Sequence, residues 1–306
     1  VTTTPVPPEP KPVVALRVGV SLDLPKLDAF IKTTGSTPSM FSEYQNWQDG
    51  ETFDANAGFA AQEKGMGITI TWEPWMPACN CVNQPTYSDR AIANGSKDSI
   101  IKAYADSLVD YASKGGGEVT IRLAHEMNGN WYPWGVGVNG NTGADYIAMW
   151  RHVHDIFAAE GVKNVLWNWA PNLTYTGGQP MAAAYPGDAY VDQVGLSGYN
   201  FGTHHYATWS SYWTSFTDAY QLSINTLRGI APTKPLWLEE IGSDSTGGDK
   251  AAWITDMFAQ IKARPYIAGF IWFDQSGPNS GLQDWLIEDD PRVLAAWRAG
   301  VASLQN

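Results

Sequence analysis

Tyr111-Ala112-Ser113-Lys114-Gly115-Gly116-Gly117-Glu118-Val119-Thr120-Ile121-Arg122-Leu123 carries one complete joint of the fold. Upstream, Ile100, Ile101, Tyr104, Leu108 and Tyr111 recur at steps of three and four and predict a helix over 99–114. Three glycines end that pattern, and an apolar run over 118–123 predicts a short strand. Outward from this joint the same unit repeats. Strand-like runs fall at Leu16–Val20, Ser39–Tyr44, Gly67–Trp72, Glu118–Leu123, Asn164–Trp169, Val191–Ser197, Pro235–Glu239 and Ile267–Phe273. Helical patterns lie between them, over 144–160 (Tyr146, Met149, Trp150, Val153, Phe157) and near 24–34, 54–64, 209–228, 249–263 and 291–304. Alternating β and α units imply parallel strands with right-handed crossovers, and hence a single α/β domain, a (β/α)8 barrel. A doubly wound sheet is the alternative, but Gly19-Val20-Ser21 opens no dinucleotide-binding glycine fingerprint.

Composition narrows the function. Among 306 residues the formal net charge is −12, which opposes nucleic-acid binding, since that requires a basic surface. No stretch approaches the ~18 consecutive apolar residues of a membrane span. The chain holds 15 Trp, 14 Tyr and 10 Phe, an aromatic excess suited to flat apolar or sugar surfaces. Cys79 and Cys81 are too few for a zinc site and lack redox-motif context, so they are expected to be a structural pair or inert thiols. Residues 1–14 are Thr/Pro-rich and predict an extended linker or tail. The barrel domain is expected over 15–306, and the protein is expected to be secreted and extracellular.

Barrel chemistry sits where strands end, at the C-terminal face. The residues there are Trp47, Trp72-Glu73-Pro74-Trp75, His125-Glu126, Asn168 and Asn172, Tyr199, Glu239-Glu240 and Trp272. Aromatics and carboxylates recurring at one rim suit a sugar cleft. Two carboxylates suffice for glycosidic cleavage: one protonates the leaving oxygen, and the other attacks or activates water. Retaining geometry requires about 5–5.5 Å between them. Glu126 and Glu240, at the fourth and seventh strands, are the candidates. No metal or cofactor is expected. His152 and His154 point to different helix faces and are expected to be structural or exposed, while His204-His205 is a candidate rim contact.

The segment Arg122-Leu123-Ala124-His125-Glu126-Met127-Asn128-Gly129-Asn130-Trp131-Tyr132-Pro133-Trp134-Gly135 resembles the acid/base motif of glycoside hydrolase family 26. Ile70–Trp75, Tyr185–Asp188 through Ser197–Asn200, and Lys234–Gly242 agree with it. The resemblance implies a retaining hydrolase with Glu126 as acid/base and Glu240 as nucleophile. Glu240 is preferred to Glu239 because Glu240-Ile241-Gly242 matches the family spacing. It further implies that His125 binds in the cleaved-sugar subsite, that Trp131 and Trp272 stack on sugar, and that Tyr199 orients the nucleophile. Trp75 and Asn168 complete the expected substrate-binding set, and Trp47, Trp72 and Trp134 are expected as cleft walls. Glu126 must start protonated, so burial and neighbouring negative charge are expected to raise its pKa. Ser197 stands where many members carry Asp, which bears on subsite specificity.

The expected substrate is a neutral polysaccharide cut internally. Trp131-Tyr132-Pro133-Trp134-Gly135 looks closer to the family branch acting on mixed-linkage β-1,3-1,4-glucan. β-1,4-Mannan is the alternative, followed by β-1,3-xylan or a non-catalytic carbohydrate-binding role. Expected partners are the polysaccharide or oligosaccharide substrate and a carbohydrate-binding module joined through the N-terminal linker, with no nucleic acid or membrane. The protein is expected to act as a monomer. Asn172-Leu173-Thr174 is a glycosylation sequon beside the expected cleft and is expected to stay unmodified.

Overall fold

A computed structural model describes residues 16–48, 50–79, 81–205, 209–275 and 283–304. The tract expected as a linker, 1–14, lies outside the described residues. Eight strands close a parallel barrel in the order β1-β10-β9-β6-β5-β4-β3-β2. They are β1 (Arg17–Ser21), β2 (Met40–Asn46), β3 (Gly67–Glu73), β4 (Val119–Leu123), β5 (Val165–Trp169), β6 (Gln193–Asn200), β9 (Leu236–Ser243) and β10 (Ile267–Phe273). Two two-residue strands, β7 (His204–His205) and β8 (Ser210–Ser211), pair antiparallel after β6. The helices are α1 (Leu27–Thr34), α2 (Ala55–Glu63), α3 (Asp89–Ala93), α4 (Asp98–Ser113), α5 (Gly143–Ala159), α6 (Phe216–Ile230), α7 (Lys250–Lys262) and α8 (Pro291–Ser303).

Every strand read from the sequence is present, with β6 and β9 running further than expected. The helix expected from 209 begins only at Phe216, because the Ser215 side chain caps it by accepting from the Asp218 N–H at 3.1 Å. The short α3 was not expected.

By packing, the chain forms two compact units. One spans Ser39–Gly195; the other runs to Pro38 and resumes at Leu196. In the Ser39–Gly195 unit, Tyr44, Thr71 and Arg122 stand in register on neighbouring strands. The buried Arg122 guanidinium donates to Thr71 Oγ1 from Nε (2.9 Å) and Nη2 (2.6 Å). Trp72 is one residue on and points to the opposite face. There it stacks on Tyr104 of α4 at 4.3 Å and contacts Phe157 of α5 at 5.5 Å. Trp47, at 4.6 Å from Trp72, is buried in the same layer. The Trp expected as cleft walls at 47 and 72 therefore form the strand–helix core.

The second unit repeats this scheme. Trp272 of β10 packs on Trp297 of α8 at 5.8 Å and on Trp253 of α7 at 6.4 Å. Trp297 in turn meets Phe30 of α1 at 6.3 Å.

Two carboxyls in the Ser39–Gly195 unit, half-buried Glu43 and buried Asp89, resist ionisation. Burial pushes Glu43 up to about 7, against a hydrogen bond from Gln45 and with the help of nearby Asp54. Asp89 is raised well above its ordinary value by burial and then by Asp145. Both carboxyls hold their proton more tightly folded than unfolded. Their protonated forms therefore cost nothing below the unfolded carboxylate pKa, and stability falls as pH rises through that value toward the folded one. For Glu43 the loss runs from about pH 4.3 to about 7. Thermal unfolding across that window should show the melting temperature declining for the parent chain. Glu43→Gln and Asp89→Asn should each flatten the slope and raise the melting temperature at pH 7.5.

Candidate active site

Immediately after β4 the backbone enters the left-handed region twice, at Ala124 (φ 44°) and Glu126 (φ 55°). Such residues store roughly 1–3 kcal/mol of strain each and persist only where surrounding contacts hold them. Here the contacts are specific. Tyr146 Oη donates to the Ala124 carbonyl at 3.0 Å and Trp134 Nε1 to the His125 carbonyl at 2.6 Å. The Glu126 N–H donates to Ala170 O at 2.8 Å. The turn aims the Glu126 carboxylate at two donors: Trp131 Nε1 reaches Oε2 at 2.6 Å and Asn172 Nδ2 reaches Oε1 at 2.8 Å.

Asn172 is itself held. Asn128 accepts from its N–H at 2.8 Å and donates to its carbonyl at 2.9 Å. Asn128 O also accepts from the Gln179 N–H at 2.8 Å. One residue therefore pins both ends of the loop 172–179.

Glu240 lies near the end of β9, buried, and accepts a hydrogen bond from Tyr199 Oη of β6. The Tyr199 ring meets Trp285 at 4.8 Å, Phe201 at 5.4 Å and Phe273 at 5.6 Å. Gly242 fits closely under this packing: a Cβ there would lie 3.0 Å from Trp285 and 3.1 Å from Tyr199, so the rings would have to give by a few tenths of an ångström.

The segment carrying Trp285 is pinned by four buried side chains. Asp244 accepts from the Asp284 N–H (2.8 Å), and Lys250 Nζ donates to the carbonyls of Asp284 (2.7 Å) and Leu286 (2.8 Å). Trp272 Nε1 donates to Trp285 O (2.9 Å), and Asp274 accepts from the Ile287 N–H (3.0 Å). Asp244 is buried, which opposes its charge, yet the Thr246 and Asp284 N–H groups and His204 hold it below the ordinary carboxylate value. His204 bonds Asp244 Oδ1 at 3.2 Å and so ties loops together.

The structure thus dresses Glu126 with Trp131 and Glu240 with Tyr199. Trp272 is a correction: its ring is wholly buried against the helices and offers no face to a ligand, while Phe273, one residue on, faces Tyr199. Its indole N–H instead positions Trp285. Trp134, expected as a cleft wall, is also fully buried and serves the His125 carbonyl. The His125 ring is enclosed by Tyr132 at 4.8 Å, Trp134 at 5.9 Å and Tyr44 at 6.2 Å. Trp75 is half-buried, donates to Glu73 Oε2 at 3.1 Å and meets Tyr132 edge-on at 5.6 Å. Asn168 is buried on the strand face opposite Trp167 and Trp169.

His152 pairs with Asp98 at 2.7 Å, and His154 packs on Tyr190 at 4.9 Å. Cys79 and Cys81 form a disulfide. Asn172 was visible in the sequence only as a strand-end residue and a sequon. Trp285 carried no strand-end signal, because it lies twelve residues beyond the last residue of β10, Phe273.

The family model described as Glycosyl hydrolase family 26 matches residues 47–266. Endoglucanase H of Acetivibrio thermocellus is 32% identical over 290 residues, covering 94% of this chain and 30% of the relative. Mannan endo-1,4-beta-mannosidase A and B of Caldalkalibacillus mannanilyticus is 30% identical over 204 residues, covering 65% of this chain and 36% of the relative. The chain thus spans about a third of these relatives' length. A solved Cellulomonas fimi endo-beta-1,4-mannanase double mutant shares the fold, with a TM-score of 0.71 and 20% identity over 95% of this chain and 71% of that one.

The left-handed turn yields a stability test. Ala124→Gly should leave the melting temperature unchanged or raise it, since glycine adopts φ > 0 without strain. Ala124→Val, β-branched at the same φ, should destabilise by about 2 kcal/mol or more in thermal or denaturant unfolding.

Proposed function

The chain belongs to glycosyl hydrolase family 26, and on that premise we propose that it is a retaining, endo-acting β-glycanase using Glu126 and Glu240. The observation carrying this reading is that the two carboxylates end the fourth and seventh barrel strands with different partners. Tyr199 donates a hydroxyl hydrogen bond to Glu240, which favours an ionised carboxylate fit to attack an anomeric carbon. Glu126 is held at both oxygens by side-chain N–H groups, which fix its plane for delivering and recovering a proton. A parallel barrel brings the ends of all its strands to one rim.

In the first step Glu240 bonds to the anomeric carbon while Glu126 protonates the departing oxygen. In the second, Glu126 takes a proton from water, which displaces Glu240 and restores the original configuration. Tyr199 bonds Glu240 in the structure, which supports Glu240 as the nucleophile.

For substrate, the run Trp131–Gly135 supports mixed-linkage β-1,3-1,4-glucan, and the name of the Acetivibrio thermocellus relative, an endoglucanase, supports a glucan. The second reading, β-1,4-mannan, draws on the name of the Caldalkalibacillus relative. An extracellular setting accords with the Cys79–Cys81 disulfide, which persists in oxidising compartments. We further read the protein as a monomer, with residues 1–14 serving as a linker.

Barley β-glucan, lichenan, glucomannan, galactomannan and β-1,3-xylan assayed side by side should show fastest cleavage of the mixed-linkage glucans; exclusive mannan cleavage would overturn that choice. Glu126→Ala and Glu240→Ala should each lower kcat by several orders of magnitude, with Glu126→Ala partly spared on aryl glycosides whose leaving group needs no proton. Glu239→Ala remaining inactive while Glu240→Ala turns over would reverse the nucleophile assignment.

A further inference from the structure

Asp274, the first residue beyond β10, is buried, and its N–H donates to Ser21 O of β1 at 2.9 Å. Its Oδ1 accepts from the Ile287 N–H at 3.0 Å. The next residue, Glu288, turns its carboxyl back toward Asp274, and the two groups are hydrogen-bonded. Carboxylate oxygens only accept, so two carboxyls can bond each other only when one of them carries a proton. Glu288 Oε2 is buried, and no N–H of the described residues reaches it. The pair therefore has a bond that exists only while it holds a proton.

Other charges stand close. Lys250 of α7 donates to the carbonyls of Asp284 and Leu286 and lies 3.6 Å from Asp284 Oδ2. Asp244, just beyond β9, accepts from the Asp284 N–H and meets His204. Burial first, and then Glu288, hold the Asp274 proton well above the ordinary carboxylate range, against the Ile287 N–H and Lys250. Burial lowers Lys250 in turn, against the pull of Asp284, Asp274 and Asp244. A carboxyl pair that binds its proton more tightly folded than unfolded contributes fully below the unfolded value of about 4. That contribution is lost as pH rises through the folded value.

Trp285 sits among these anchors. Its ring meets Tyr199 at 4.8 Å, Phe201 at 5.8 Å and Phe273 at 6.4 Å, and Tyr199 donates to Glu240. We propose that Asp274 and Glu288 are positioning residues for Glu240, sharing one proton that clasps the 284–288 segment and so keeps Trp285 against Tyr199. When both carboxyls ionise, two adjacent negative charges repel. The segment then lifts, and Tyr199 loses the wall that keeps its hydroxyl on Glu240. This role rests on Glu240 being the nucleophile.

The test follows hydrogen exchange in the intact chain as pH rises from about 4, with intrinsic exchange rates divided out, together with kcat on the polysaccharide cleaved fastest. In the parent the 284–288 amides should lose protection while those of β10 and α7 keep theirs. Asp274→Asn supplies an amide donor that does not titrate, and should carry protection at least about one pH unit further. Loss at the same or a lower pH would make Lys250 the titrating group and overturn the proposal. Protection in the parent that lasts until the whole chain unfolds would overturn it too. Asp274→Ala, confirmed as folded by thermal unfolding, should lower kcat roughly tenfold with KM within about twofold, and Asp274→Asn should restore most of that loss. Glu288→Ala, at a half-buried position, gives the same reading should Asp274→Ala not fold. Parental kcat in the folded alanine variant would sink the clasp. Full activity in Glu240→Ala would instead remove the nucleophile reading beneath it and leave the exchange result standing.

Discussion

Successive side chains of a strand must point to opposite faces, and this constraint organises the protein. In the Ser39–Gly195 unit, Thr71 and Arg122 share one face while Trp72 presses into the helices. On β5, Trp167 and Trp169 take the helix side and leave Asn168 on the other. In the second unit Trp272 joins Trp253 and Trp297, and Phe273 turns toward Tyr199. The large indoles thus supply much of the strand–helix core, where their area gives the greatest apolar gain. The faces left to smaller and polar residues carry the buried polar groups.

A second principle governs the loops. Each candidate carboxylate lies beside a segment pinned by buried polar side chains rather than by further secondary structure. Asn128 closes the loop 172–179, and Asn172 then meets Glu126. Asp244, Lys250, Trp272 and Asp274 hold the segment at 284–287, and Trp285 then packs on Tyr199. Loops held this way keep donors in place without the reorganisation that would weaken electrostatic help in a reaction. Burial acts on carboxyls inside and outside these arrangements, and within the second it raises Asp274 well above its ordinary value, with Glu288 adding to the effect. Glu43 and Asp89 lack such donors in sufficient number, and burial drives them toward the neutral form.

Much of this was legible beforehand. The glycine joint at 115–117 and the apolar runs located every barrel strand, because strand length and period leave a local imprint. The motif around Glu126 was equally local: Trp131, only five residues away, turns back to donate to its carboxylate. Trp272, Trp47 and Trp72 were harder, since a tryptophan at a strand end reads the same whether it faces a cleft or a helix. The decision depends on one residue of register, and composition carries no trace of it. Trp285 escaped for another reason. It lies in a segment held by hydrogen bonds to residues distant in the chain.

The amino-acid sequence by itself determined the βα alternation, the positions of Glu126 and Glu240 at strand ends, and the family, because each is written in short-range pattern. Tertiary structure alone decided which aromatic rings are buried and which stand open, and it assigned Asn172 to Glu126. Those outcomes depend on side-chain facing and on contacts between residues tens of positions apart. Only the closed packing of strands, helices and pinned loops brings such residues within hydrogen-bonding distance.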